Sequence, residues 1–244
     1  MDEPFSIALD RPLLTVTFHV PQRVLSWSML RPGLQVARRI AWLEVRNADL
    51  PANIDAFDVI SGRIHDAGLD DAVVLVTSRD IRRNHFSHVR VEDMQASCLT
   101  TVGLSNSERV GTRLHRPPPF TGTINTLVHI LHPLTDGALI EAMSIATEAR
   151  TTAVLDAAVH RGGLAVTGTG TDCIAIAAPL DGEAVRYAGK HTALGEAIGA
   201  AVYRATADGI ADWKTDYAEM SAPAVATADP ERQPCAGASL QIRT

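Results

Sequence analysis

The run AVVLVT at residues 72–77 constrains this chain more than any other feature. A strand with one wet face alternates apolar and polar residues, whereas a strand apolar at successive positions is covered on both faces. Residues 123–131 (TINTLVHIL) read as a second buried strand, and residues 95–102 as a further strand. Covering a sheet takes helices, and three segments can supply them. Residues 54–67 follow Asn53, a capping residue, and stop at Gly68. Residues 134–159 are rich in Ala, Leu, Met and Glu, with Thr135 or Asp136 placed to cap them. Residues 191–208 form the other long helix, with a kinked continuation around residues 209–217. The expected fold is α/β (or α+β): a single domain whose mixed sheet packs against two long helices from the C-terminal half, with a strand-rich N-terminal part.

That N-terminal part begins with period-2 alternation at residues 13–20, broken by Pro21. Residues 24–30 and 40–45 are further strand candidates around the turn Arg31-Pro32-Gly33, and residues 79–88 read as polar and turn-like. A short strand at 164–166 pairs with one at 172–178 across the loop 167–171. Pro117, Pro118 and Pro119 mark an exposed connection. From Met220 onward apolar content falls away, so 219–244 is expected to be a flexible tail and 1–218 one catalytic domain.

Composition excludes several classes of function. A net charge of −6 over 244 residues, with only short basic clusters, argues against a nucleic-acid partner. No apolar stretch approaches the roughly 20 residues that span a bilayer, so no membrane partner is expected. The acidic start Met1-Asp2-Glu3-Pro4 is unlike a secretory signal, and Cys98, Cys173 and Cys235 have no metal-type spacing. These features fit a cytoplasmic protein acting on a small molecule, with a homo-oligomer left open.

Polar chemistry concentrates in three places. The loop TGTGTD (167–172) sets Gly168, Thr169, Gly170 and Thr171 before Asp172, at the start of an apolar strand. Glycines allow close backbone approach, threonines supply hydroxyls, and a carboxylate at a strand end can be a base, a ligand or an orienting group. An ordinary glycine turn explains the same letters. The segment Tyr187-Ala-Gly-Lys190-His191-Thr192 opens a helix whose N–H groups can meet a polar ligand, with Thr192 as a cap. Gly195 and Gly199 on one face of that helix favour close packing over ligand approach. In the first long helix, Glu141 and Glu148 share a face, while Glu148 and Arg150 do not. Asn125 is placed to orient a substrate carbonyl, and Ser26, Thr77, Ser105 and Asn106 are weaker candidates of the same kind.

Six blocks in order then resemble one family. VTSRDIRR (76–83), TTVGLSN (100–106), GTINTLV (122–128), LTDGALIEAMSIATEARTTAVLD (134–156), TGTGTDCIAIA (167–177) and YAGKHTALGEAIGAAVY (187–203) resemble the adenosylcobinamide amidohydrolases (the CbiZ family) across residues 13–218. The resemblance implies hydrolysis of the amide joining aminopropanol to the corrin ring of adenosylcobinamide, giving adenosylcobyric acid for corrinoid salvage. The corrinoid is then substrate, and no cofactor is implied. Carried over by position, Asp172, His191, Thr171 and Glu148 are the catalytic candidates. Asn125, Thr169 and Thr192 are carried over as substrate-binding residues, and Gly168, Gly170, Lys190 and Ser26 join them from the reading of the loops themselves. Leu25-Ser26 matches the family's early block, but the bulky Trp27 and the turn Arg31-Pro32-Gly33 depart from its glycine pair, which leaves the substrate open.

The mechanism expected from this pattern has Asp172 or His191 activating water, or the Thr171 hydroxyl, against the amide carbonyl. Backbone N–H groups at 168–170 hold the oxyanion. Asp172, His191 and Glu148 are also competent metal ligands. Alternatives are an enzyme of this fold acting on a different amide or small molecule in a specialised pathway, or a corrinoid- or small-molecule-binding module without turnover. All versions require the 167–172 loop and the 187–195 helix start to meet in one polar pocket.

Overall fold

The computed structural model describes residues 4–50, 53–112 and 122–221. The proline run, Cys235 and residues 222–244 of the expected tail lie outside the described residues. The N-terminal elements are β1 (Phe5–Asp10), β2 (Leu13–Ser26), β3 (Gly33–Glu44), a 3-10 turn (Asn47–Asp49), α1 (Ala56–Asp66) and β4 (Val73–Thr77). After them come β5 (Asn84–Val91), β6 (Met94–Val102), β7 (Ser107–Glu108), β8 (Ile124–Ile130) and α2 (Asp136–Asp156). The chain continues through β9 (His160–Arg161), β10 (Leu164–Ala165), β11 (Gly168–Thr169), β12 (Cys173–Pro179) and α3 (Ala193–Ser221).

The main sheet is mixed, in the order β4-β3-β2-β12-β8-β6-β5, with β1 on β2. The β3–β4 and β12–β8 pairs are parallel. Along β12, Ile174, Ile176 and Ala178 join Leu139 and Ala142 of α2 and Ile198 and Ala201 of α3 in one core. The alternate residues Cys173, Ala175 and Ala177 pack instead with Val16, Phe18, Trp42, Leu75 and Leu127, all from other strands. The sheet therefore curls until its inner face packs against itself. The curl brings the Val76 carbonyl of β4 within 2.8 Å of Asn125 Nδ2 in β8, although β3, β2 and β12 lie between them in the sheet. On β3 and β4, Ala41, Leu43 and Val74 are covered by Ile60 and Ile64 of α1. Strands covered on both faces are what the apolar run at 72–77 required.

Four local expectations change. Pro21 does not end a strand: β2 runs through it, and its register with β3 shifts between Thr17 and Gln22. A proline cannot donate to the ladder and is accommodated at such a bulge. The bulge also lets the first half of β2 pair with β1 and the second half with β12. Residues 84–91 form β5, whose Val89 is buried while its other positions are at least half-exposed or partly so, which hid the strand. Segment 164–166 does not pair with 172–178; β10 pairs with β9, while β12 lies between β2 and β8. Finally, α3 runs unbroken to Ser221. A Cβ at Gly209 would lie 2.5 Å from Val102 Cγ2, so that glycine brings the helix close to β6 rather than bending it.

The caps are local too. Asp55 rather than Asn53 caps α1, accepting from Phe57 N at 2.9 Å, and of the two candidates for α2, Thr135 and Asp136, it is Thr135 that caps. Because β8 and β12 are parallel, α2 returns across the sheet between them. Both long helices thus begin at the Pro179 end of β12 and finish near its Cys173 end. No described helix is long and apolar enough to cross a membrane.

Candidate functional site

At the Cys173 end of β12 the loop 167–172 folds around its own carboxylate. Asp172 Oδ1 accepts from Ile124 N at 2.9 Å and from Thr169 Oγ1 at 2.5 Å. Oδ2 accepts from Thr169 N at 2.9 Å and faces Arg150 Nη1 at 3.2 Å. A Cβ on Gly168 would sit 2.4 Å from Asp172 Oδ2, so only glycine leaves room for the carboxylate to fold back. The Asp172 and Arg150 side chains are 5% and 10% exposed. Burial pushes the Asp172 carboxyl upward, while the Arg150 guanidinium, the Thr169 hydroxyl and the two backbone N–H groups pull it back toward the carboxylate. Four donors on two oxygens make Asp172 an anchor for the loop more readily than a base for substrate. The Thr169 N–H, committed to that anchor, is not free to hold an oxyanion.

Around this anchor the polar groups are paired in order. Thr171 and Thr123 share a hydroxyl–hydroxyl hydrogen bond, and the Thr123 hydroxyl also lies 3.1 Å from the Thr171 carbonyl. Gly122 lets this segment abut Gly103, whose carbonyl oxygen would be 2.7 Å from an added Cβ. Ser26 donates to the Ile174 carbonyl at 2.9 Å and accepts from Ser28 N at 3.1 Å, so it fastens β2 to β12. Cys173 Sγ lies 3.5 Å from Ser26 Oγ, and burial pushes its thiol up. Trp27 Nε1 donates to the Asp172 carbonyl at 2.8 Å while its ring stays 48% exposed.

These groups border a cavity of about 470 Å³ at the end of the curled sheet. Its walls include Trp27, Met29, Leu50, Val74, Val76 and Thr77 on one side, and Asn106, Gly122, Thr123, Asn125, Gly170, Thr171, Asp172 and Cys173 on the other. A volume in the range of small-molecule sites, mostly apolar with a few convergent polar groups, suits a ligand. A second cavity of about 420 Å³ shares Gly170 and Asp172 and adds Arg150, Glu108, Thr167, Gly168 and Thr169. Asn125 is wholly buried; its Nδ2 donates to the Val76 carbonyl, and its Oδ1 has no partner among the described residues.

The other expected residues lie elsewhere. Lys190 pairs with Glu148, the two side chains being 66% and 51% exposed, and His191 is exposed beside them. Thr192 accepts from Gly195 N at 2.9 Å and donates to the Gly189 carbonyl at 2.8 Å, closing the turn into α3. Glu141 accepts from Ala188 N at 2.7 Å, fixing that turn to α2. A Cβ at Gly195 would lie 2.1 Å from the Gly189 carbonyl oxygen, so backbone closure alone demands glycine. The seven residues of β12 separate the two loops, about 20 Å at 3.3 Å per residue. The expected single pocket does not form: Asn125, Gly168, Thr169, Gly170, Thr171 and Asp172 gather at one end, and Glu148, Lys190, His191 and Thr192 lie toward the other. Among the described residues no group of three or more His, Cys, Asp or Glu is arranged to hold a metal, and Asp172, His191 and Glu148 do not converge.

Sequence reasoning passed over Arg150 and Thr123 as site residues, held Asn106 only as a weaker carbonyl-orienting candidate, and noted Trp27 only as a departure from the family's early block. For Arg150 there was a signal: it falls on the stripe of α2 that carries Ala146, Ala153 and Val154 into the core, and a charge on a buried stripe needs a partner. For Thr123 no spacing pointed to the cavity.

Comparison with known proteins adds the family. The profile of the adenosylcobinamide amidohydrolases matches residues 3–218. An uncharacterised protein of Methanocaldococcus jannaschii is 36% identical over 97 residues, which is 38% of this chain and 38% of that protein. A Pyrococcus horikoshii OT3 protein of known crystal structure aligns over 86% of this chain and 82% of its own, at 10% identity and a TM-score of 0.41.

Proposed function

Since the chain belongs to the adenosylcobinamide amidohydrolase family, we propose that it hydrolyses the amide joining aminopropanol to the corrin ring of adenosylcobinamide, at the cavity beside Asp172. Water adds to the amide carbonyl, the C–N bond breaks, and the products are adenosylcobyric acid and the free amino alcohol. The observation that carries this reading is the cavity itself, which brings Asn125, Gly170, Thr171 and Asp172 together under an apolar rim. A corrinoid is far larger than 470 Å³, so the amide-bearing arm enters while the ring lies across Trp27 and Met29, which are 48% and 43% exposed.

In this reading Asp172 is a positioning residue. It holds the loop so that Gly170 and Thr171 face the scissile carbonyl, and the coupled Thr171 and Thr123 hydroxyls pass a proton between water and leaving nitrogen. The saturated Asp172 carboxylate also favours a second reading, a binding module that holds a corrinoid without cleaving it. Incubation of the purified protein with adenosylcobinamide, followed by mass spectrometry, separates the two. Adenosylcobyric acid and aminopropanol in equal amounts support hydrolysis; tight binding with the ligand recovered intact overturns it.

A further inference from the structure

Asn125 was expected to present its amide N–H₂ to a substrate carbonyl. The geometry reverses that polarity. Its Nδ2 donates to the Val76 carbonyl at 2.8 Å, and turning the amide over would set two oxygens against each other, so the assignment of oxygen and nitrogen is fixed by its neighbour. Among the described residues Oδ1 is left as an acceptor without a donor, on a side chain with no solvent exposure. A buried acceptor left unmade is costly, and natural structures keep few of them. Asn106, whose Oδ1 is also buried and without a partner among the described residues, lines the same cavity. Two carboxamide oxygens therefore await donors at one site.

We infer that Asn125 Oδ1 accepts the N–H of the scissile amide, so that this site reads its substrate by the amide nitrogen. The inference rests on the function proposed above and deepens it. A trans amide directs its N–H and its carbonyl oxygen to opposite sides. An N–H held by Asn125 in β8 turns the carbonyl away from Asn125, into the cavity that Gly170 and Thr171 also line. The curl of the sheet is what makes the residue selective: without β4 beside β8, nothing would fix the Asn125 amide, and either of its ends could face the substrate.

The test pairs two substrates with two variants. Adenosylcobinamide is compared with the ester analogue in which oxygen replaces the amide nitrogen, using turnover and equilibrium binding. Asn125→Leu is expected to lower kcat/KM and affinity for the amide by about 10- to 100-fold, and those for the ester by less than about threefold. Asn125→Asp, which keeps an acceptor but loses the donor to Val76, is expected to retain most of the amide preference even where its melting temperature falls. Because both substrates meet the same protein, a general folding defect lowers both equally and leaves their ratio intact. Equal losses on amide and ester in Asn125→Leu, or a lost preference in Asn125→Asp, overturn the inference while leaving hydrolysis standing. A wild-type protein that neither binds nor cleaves either compound overturns both.

Discussion

The two ends of β12 look alike in sequence and differ in what their glycines and threonines are for. At the Cys173 end, Gly168 makes room for a buried carboxylate, and Thr169 and Asp172 bond to each other. At the Pro179 end, Gly195 makes room for the backbone of Gly189, and Thr192 caps the helix that follows. One set of close approaches encloses a charge beside a cavity; the other closes the turn that opens a helix and encloses no charge. Glycine–threonine composition reports close approach, and burial of an ionisable group decides whether that approach serves a site.

The sharpest way to break the comparison is to remove the buried charge. Asp172→Ala strands the Arg150 guanidinium and orphans the Ile124 and Thr169 donors. Removing one partner of a buried pair costs about 3–5 kcal/mol. Urea unfolding is expected to show that loss together with abolished turnover, and Asp172→Asn a smaller one. A stable Asp172→Ala protein with full activity would strip the Cys173 end of its special standing.

A pH effect of comparable size comes from a third region and must be separated from the site. His129 lies in the all-strand core, stacked on Phe18 with ring centroids 5.4 Å apart. Burial holds its pKa down at about 4, against 6.5 for the free side chain. The folded protein then refuses a proton that the unfolded chain takes up. The stability associated with neutral His129 is complete above about pH 6.5 and is lost as pH falls from there toward 4, by up to about 3 kcal/mol. His129→Phe is expected to flatten urea midpoints over that window. An acid limb of the activity profile that survives in this variant belongs to the cavity, and one that vanishes with it was unfolding.

How much of this was legible follows from the range of the interactions. The buried strands and the α2 cap are local patterns: 72–77 carried the strand, and 134–136 narrowed the cap to Thr135 or Asp136. Strand β5 escaped because an edge strand with one buried valine has no apolar pattern to detect. Asp172 and Asn125 were legible as polar residues bordering apolar strands. Their roles were not, because those depend on Arg150, 22 positions back along the chain, and on Val76, brought close only by the curl. Assigning the helix start to the same pocket failed for the same reason: spacing along a chain does not say which end of a strand a loop occupies.

The glycines give a smaller, signed test. Gly195→Ala forces a Cβ into the Gly189 carbonyl oxygen at 2.1 Å, an overpacking expected to cost about 1–3 kcal/mol. Gly199→Ala meets nothing nearer than Ile145 Cγ2 at 3.8 Å and should gain up to about 1 kcal/mol from helix propensity. Opposite signs in melting temperature, with kcat unchanged in both, would mark this end as purely architectural.

The smallest expected effect is the most discriminating. His191 is exposed at the turn, and its neighbour Lys190 is paired with Glu148 at the surface. Exposed pairs contribute about 0–1 kcal/mol, and surface substitutions usually stay within about 0.5 kcal/mol. His191→Ala and Glu148→Gln are each expected to leave kcat/KM within about twofold of wild type, measured on whichever corrinoid the wild type accepts. A tenfold fall in kcat/KM for either variant, with stability preserved, would mean that the helix start reaches a ligand lying outside the cavity. Both ends of β12 would then belong to one extended substrate surface, and the distinction between site and scaffold drawn from burial would not hold for this fold.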